Sequence, residues 1–188
     1  MKFLICLAFL FISLKSQAWM IDLNAELGSD TLSTTSEEKD TRQTYFLGVL
    51  GDISKGDTAS TFVGWGVINA NVKNTNNVAG TDQTFSTLDT GPLFRLGLGS
   101  RGTYSFSLMY ALVAKGKLDS GGTSGAITGS SYLIKFAIEP EVADKVCVGF
   151  AMNYYAASYS KSVTSSVESN ISYKIQRTFP SVSLTYRF

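Results

Sequence analysis

Two carboxylates, Asp22 and Glu26, stand four residues apart at the start of an alternating segment. Such a pair could act as a general base or hold calcium through oxygen. On a strand the same spacing puts both on one face, where they serve as ion-pair partners for basic residues across a polar interior. Gly97-Leu98-Gly99-Ser100-Arg101-Gly102 spells the dinucleotide fingerprint G-x-G-x-x-G, which works only where a helix follows to offer its N-terminus to pyrophosphate. Here an alternating segment follows from Thr103, so the glycines read as the positive-φ residues of a tight hairpin turn. Asn170-Ile171-Ser172 spells a glycosylation sequon that carries little weight. The sequence contains no histidine, so nothing with an unperturbed pKa near neutrality stands ready to activate Cys147 or a serine. These residues predict no catalytic site, no cofactor and no metal site.

The elements that would position them begin after an export signal. Lys2, the apolar run Phe3 to Leu14 and the small-x-small triplet Ser16-Gln17-Ala18 read as a secretory signal peptide over residues 1–18. The mature domain is then 19–188. No later stretch approaches the roughly 20 apolar residues of a transmembrane helix. Cys147 is the single cysteine after the signal, which excludes an intramolecular disulfide and the usual structural zinc set. Without the two signal lysines the 16 basic residues fall into near balance with the 15 acidic ones. Nucleic acid is therefore not an expected partner.

Period-two alternation dominates the mature domain. Tyr104, Phe106, Leu108, Tyr110, Leu112 and Ala114 alternate with Ser105, Ser107, Met109, Ala111, Val113 and Lys115. Tyr132, Ile134, Phe136 and Ile138 alternate with Ser131, Leu133, Lys135, Ala137 and Glu139, and Val146, Val148, Phe150, Met152 and Tyr154 with Cys147, Gly149, Ala151, Asn153 and Tyr155. One face is large and apolar, the other small or polar. A soluble barrel would turn its large faces inward and show many charges outside; a barrel in lipid inverts that order. Eight strands are expected: Met20 to Asp30, Thr41 to Asp52, Ala59 to Val72, Phe85 to Leu98, Thr103 to Lys115, Ser130 to Glu139, Val146 to Ser158, and Ile171 to Phe188. Short turns at Ile53 to Thr58, Gly99 to Gly102 and Pro140 to Lys145 alternate with longer Gly/Ser/Thr/Asn-rich loops at Thr31 to Asp40, Lys73 to Thr84, Gly116 to Gly129 and Tyr159 to Asn170. Short periplasmic and long extracellular connections are the pattern of membrane barrels, and both termini then lie in the periplasm.

The fold class expected is all-β, an eight-stranded antiparallel up-and-down transmembrane β-barrel. Its lumen is narrow enough to be filled by side chains. Parity turns Asp22, Asn24, Glu26, Gly48, Asp89, Arg95, Lys135, Glu139, Asn153 and Arg187 inward. Asp22, Glu26, Asp89, Arg95, Lys135, Glu139 and Arg187 form the expected polar network, because charges in a narrow lumen must be paired or wet. A gated ion path is the other use of such a set. Within the last segment the parity shifts between Ile171-Tyr173-Ile175 and the terminal run, so its upper part either leaves the membrane or carries a bulge near Pro180.

The terminal run Val182, Leu184, Tyr186, Phe188 is apolar at every second position and closes on Phe. That ending resembles the C-terminal signal by which outer-membrane barrels are recognised by their assembly machinery, with Tyr186 and Phe188 as its expected elements. Together with the signal peptide, the eight strands and the loop asymmetry, the chain is similar to the small eight-stranded barrels, the family of outer membrane proteins A (its barrel part), X and W. The resemblance implies residence in the bacterial outer membrane, with its lipid and the barrel assembly machinery as partners. Outer-membrane enzymes resemble one another in needing a histidine base, which this chain lacks, so the resemblance points away from an enzyme. Two roles stand first: a structural or surface-interaction barrel meeting extracellular partners weakly through its loops, and a narrow channel for ions or small solutes. Trp19, Tyr104, Tyr132, Tyr154, Tyr186 and Phe188 are expected near strand ends, where aromatic rings suit membrane interfaces.

Overall fold

The structure is a computed structural model that describes residues 19–27, 38–56, 58–76, 81–99, 102–120, 122–164 and 167–188. The expected signal peptide, 1–18, lies outside the described residues. Among the described residues nine strands run in order: β1 (Trp19–Glu26), β2 (Glu38–Lys55), β3 (Ala59–Asn76), β4 (Thr81–Leu98), β5 (Tyr104–Ser120), β6 (Thr123–Ile138), β7 (Glu141–Ala143), β8 (Val146–Thr164) and β9 (Val167–Arg187). Each long strand pairs antiparallel with its neighbours, β6 pairs with β8, and β1 pairs with both β2 and β9. The sheet therefore closes into a ring of eight, with β7 a three-residue addition at the edge of β8. Closure leaves no open ladder along the wall, which in hydrocarbon would expose unpaired N–H and C=O groups at several kcal/mol each.

The connections at the lower end are short, and there the start of β1 meets the C-terminal residue: the Phe188 N–H donates to the Trp19 carbonyl at 2.8 Å. The upper connections differ from expectation. Strands β3 and β4 continue to Asn76 and from Thr81, β5 and β6 to Ser120 and from Thr123, and β8 and β9 to Thr164 and from Val167. Most of what reads as loop is thus antiparallel hairpin. Thr, Val and Ser hold the extended backbone there and the ladder satisfies it, while water on the outer face removes the apolar alternation that marks a strand. Strands β2 to β6, β8 and β9 run 16 to 21 residues, against the roughly 9–11 needed to cross a bilayer. The surplus stands above the membrane-width zone.

A bulge changes the faces of β5. Between the Met109–Leu93 and Val113–Thr90 pairs β5 advances one residue more than β4, so Leu112 and Val113 both point outward, 71% and 50% exposed. Ala114, expected on the outer face, is consequently buried inside, and Lys115, expected inside, is exposed outside. The crowding has a local cause: a Cβ on Gly91 would sit 2.1 Å from the Tyr110 carbonyl oxygen, so β4 and β5 approach too closely there for any side chain. No such break occurs near Pro180, which pairs in continuous register with Met152. The apolar Ile171, Tyr173 and Ile175 keep the inward parity of the lower strand and pack on the core. The strand carries no bulge at Pro180, and from Gln176 upward its outward residues are polar, so this upper part rises above the apolar belt.

Outside, an apolar belt circles the barrel through Leu47, Trp65, Phe94, Leu108, Phe136, Phe150 and Leu184. Above it the outward residues turn polar: Gln43, Asn69, Ser86, Lys115, Ser130, Ser158 and Gln176. Tyr132 and Tyr154 mark that upper border with ring centroids 5.9 Å apart, although both strands run on well past them. Inside, β5, β6 and β8 offer small residues such as Ser107, Ala111, Ala137 and Ala151, whereas β2, β3 and β4 carry Phe46, Leu50, Phe62, Ile68, Phe85 and Leu93. The small-or-polar inner face is thus a property of one half of the wall. Large side chains of the other half fill the space it leaves.

Candidate functional site

Four fully buried charges meet in the lower lumen. Asp22 comes from β1, Arg95 from β4, Lys135 from β6 and Glu139 from the residue after β6. Arg95 donates through Nη1 to Asp22 Oδ2 at 2.7 Å and through Nη2 to Glu139 Oε2. Lys135 Nζ donates to both Asp22 oxygens, at 2.8 and 2.7 Å, and lies 3.4 Å from Glu139 Oε1. The remaining lone pairs are met by neutral donors: Asn24 to Asp22 at 2.8 Å, Ser105 to Glu139 at 3.1 Å, Thr185 to Glu139 at 3.3 Å, and Ser183 to the same carboxylate. Two cations and two anions, cross-bonded, make a neutral plug. Charges buried this deeply persist only when paired and hydrogen-bonded.

The other expected members are placed elsewhere. Glu26 does not join Asp22; it pairs with Arg177 at 2.5 Å, and Arg177 also donates to Thr44 Oγ1 at 3.1 Å. The two carboxylates four residues apart therefore serve separate clusters. Asp89 accepts from Ser131 at 2.6 Å and from the Tyr155 hydroxyl at 2.5 Å, with the Tyr159 hydroxyl 3.4 Å beyond. Its partners are neutral. Arg187 stands at the lower mouth, where a Cβ on Gly102 would lie 3.0 Å from its Nη2. Sequence reasoning misses Arg177, Tyr155 and Tyr159 as members of the network. The apparent phase break in the last strand hides Arg177, and apolar bodies hide the tyrosines.

Above Asp89 the lumen becomes aromatic. Phe85 packs on Tyr159 and on Tyr173 with both ring centroids at 5.4 Å, and Ile127, Leu118, Val72 and Ile171 surround them. Asn153 donates to Ser181 Oγ at 2.7 Å, so the lumen is occupied in layers: the charged plug, this Asn153–Ser181 pair, Asp89 with its tyrosines, and the aromatic cap. Among the described residues no three His, Cys, Asp or Glu side chains come together to hold a metal. Cys147 is a buried inward residue. The glycine motif is a hairpin connection, with Gly99 and Gly102 at φ +82° and +61° and the Gly102 N–H donating to the Gly99 carbonyl at 3.0 Å. A strand follows it, not a helix.

At the C-terminus, Tyr186 and Phe188 both point outward, their rings edge to face at 4.8 Å. At the β5–β6 hairpin tip, hydrogen bonds from Ser124 and Lys117 hold the Asp119 carboxyl below its usual range.

No family model and no curated protein matches the chain. Among solved structures it is similar to the outer membrane protein OprG from Pseudomonas aeruginosa, at 11% identity over 92% of this chain and 96% of that one, with a TM-score of 0.42. It is also similar to OmpT, an outer membrane protein of Vibrio cholerae folded in vitro and seen as a trimer, at 14% identity and a TM-score of 0.30. There the match covers 92% of this chain and 52% of the other, so this chain spans about half of that protein's length. The architecture rests on the ring itself: an all-β chain closed as an eight-stranded antiparallel barrel with an apolar exterior.

Proposed function

We propose that this chain is a non-enzymatic barrel of the bacterial outer membrane, exported by its N-terminal signal, whose role is structural or one of surface contact rather than conduction. The occupied lumen carries this reading. In the Asp22–Arg95–Lys135–Glu139 plug two cations are paired with two anions, so a passing ion would find no free charge to replace its hydration shell and would have to break several bonds to enter. The aromatic cap above it removes a second stretch of path. The outer-membrane setting is supported by the circling apolar belt, by sheet closure, and by short connections at the end where Trp19 meets Phe188. The tall polar hairpins supply the surface by which extracellular partners would be met, weakly, through backbone and shape. Tyr186 and Phe188 are the elements offered to the assembly machinery.

The test is conductance of the purified, refolded protein in a planar lipid bilayer. Expected is a membrane as resistive as the lipid alone, although heat-dependent gel mobility shows a folded barrel. Steady unitary currents, lost or altered when Lys135 is changed to Met, would instead establish the narrow channel and make the quartet its gate.

A further inference from the structure

On the outer wall of β5, β6, β8 and β9 the apolar belt ends in a groove. Two contiguous recesses of about 560 and 280 Å³ share Ser130 and Ser158. Small residues, Gly129, Ser130, Ala156 and Ser158, keep the wall low there. Leu112 and Val113, turned out together by the β5 bulge, form one side, and Tyr132 stands at the border below.

The charges beside this groove that lack an ion-pair partner among the described residues are positive. Lys174 lines the smaller recess, and Lys115 lies beyond Val113 on the outer face of β5, in register with Thr128 and through it with Lys161. Lys161 is bound to Glu168 at 2.6 Å. Lys115 and Lys174 are exposed and, among the described residues, have no ion-pair partner. Across the barrel the outward residues just above the belt are Gln43, Asn69, Asn71 and Ser86, all neutral, with the charge of Lys73 standing one outward position higher on β3.

We propose that this groove binds the phosphorylated headgroup of an outer-leaflet glycolipid, its anionic groups toward Lys115 and Lys174 and its first acyl carbons on Leu112 and Val113. The inference rests on the membrane reading above and names a lipid for one sector of the barrel. Cations directly above an apolar wall match an amphiphile in both charge and polarity. Three strand spacings, about 14 Å, separate β5 from β9, and Lys174 lies below the β9 residue level with Lys115, so the two lysine backbones stand roughly 16–19 Å apart, a span for a headgroup carrying two separated phosphates rather than one. A second copy joined through the same wall would set lysines against lysines.

The experiment titrates the full barrel, refolded in neutral detergent, with lipid A, with its dephosphorylated counterpart and with inorganic phosphate, reading retention by native mass spectrometry. Expected is one retained lipid A per chain, weakened about 5-fold by Lys115→Gln or Lys174→Gln and roughly 25-fold by both. Ser158→Trp, which fills the recess, should weaken it too, whereas Lys73→Gln should not. Equal retention by the double variant or of the dephosphorylated lipid overturns the proposal, as does inorganic phosphate binding as tightly as lipid A or a dimer blocked by Ser158→Trp. Insertion into vesicles is measured in parallel. A barrel that inserts without retaining lipid A sinks this inference alone, and one that fails to insert sinks the membrane reading.

Discussion

Asp22 and Asp89 are both fully buried aspartates of the same lumen, yet their surroundings differ in sign. Asp22 accepts from Arg95, Lys135 and Asn24, so its negative charge, with that of Glu139, balances two buried cations. Asp89 accepts from Ser131 and Tyr155, both neutral, and its Oδ1 has no hydrogen-bond partner among the described residues. Removing one member of a buried ion cluster strands its partner, at about 3–5 kcal/mol. Asp22→Asn should therefore lower barrel stability by that amount. Asp89→Asn keeps an acceptor for the two hydroxyls and removes an uncompensated charge, so its effect should stay within about 1 kcal/mol or be stabilising. Urea unfolding of the refolded variants in detergent, followed by tryptophan fluorescence, decides it: equal losses would mean that Asp89 also meets a positive charge.

At the scale of the element, each strand has two faces with different demands, and lysine substitution reads them. Phe136, 59% exposed in the middle of the belt, should lose roughly 2–4 kcal/mol on change to Lys if that face meets lipid. Ser107 faces inward, but its cross-strand neighbours are Arg95 and Lys135, so Ser107→Lys forces a third cation against the quartet and should be at least as harmful. Thr128→Lys, outward and above the belt, should fold normally. A tolerated lysine at Phe136 in a heat-modifiability assay would show that the belt does not meet lipid. The alternation of β6 and of lower β8 is readable from sequence because the two faces differ in size. The segment Tyr45 to Leu50 in β2 is nearly continuous in apolar character, so the inward Phe46 and Leu50 cannot be told from the outward Leu47 and Val49 by periodicity. The β5 bulge is equally silent, since one extra residue shifts phase without altering composition. Of the site, Asp22, Arg95, Lys135 and Glu139 are legible as inward charges, but which of them meet depends on register across strands far apart in sequence. Glu26 and Arg177, 151 residues apart, show how little local pattern says about such a pair.

For the whole molecule the decisive step is closure, because seven strands leave two open edges and the eighth removes both. Strand β9 performs it, pairing along β8 and, through Ser181 to Arg187, along β1. Its neighbour Phe188 is fixed only lightly: the Phe188 N–H meets the Trp19 carbonyl at 2.8 Å, while the ring points outward, 56% exposed. Burying a whole Phe is worth roughly 1.5–3 kcal/mol, so a ring left this exposed contributes less, and deleting it leaves the β1–β9 ladder from Met20 to Glu26 in place. The folded state therefore has modest use for Phe188. Assembly in the cell has a different requirement if the machinery reads the outward pair Tyr186 and Phe188 on a strand not yet closed. The Phe188-deleted protein should then refold from denaturant into detergent almost as well as the unaltered chain, yet accumulate poorly in the outer membrane and be degraded in the periplasm. Membrane fractionation of cells, run beside in-vitro refolding yields, separates the two contributions. Normal outer-membrane levels of the deletion would sink the recognition role, and failure in both settings would assign Phe188 to packing at the seam.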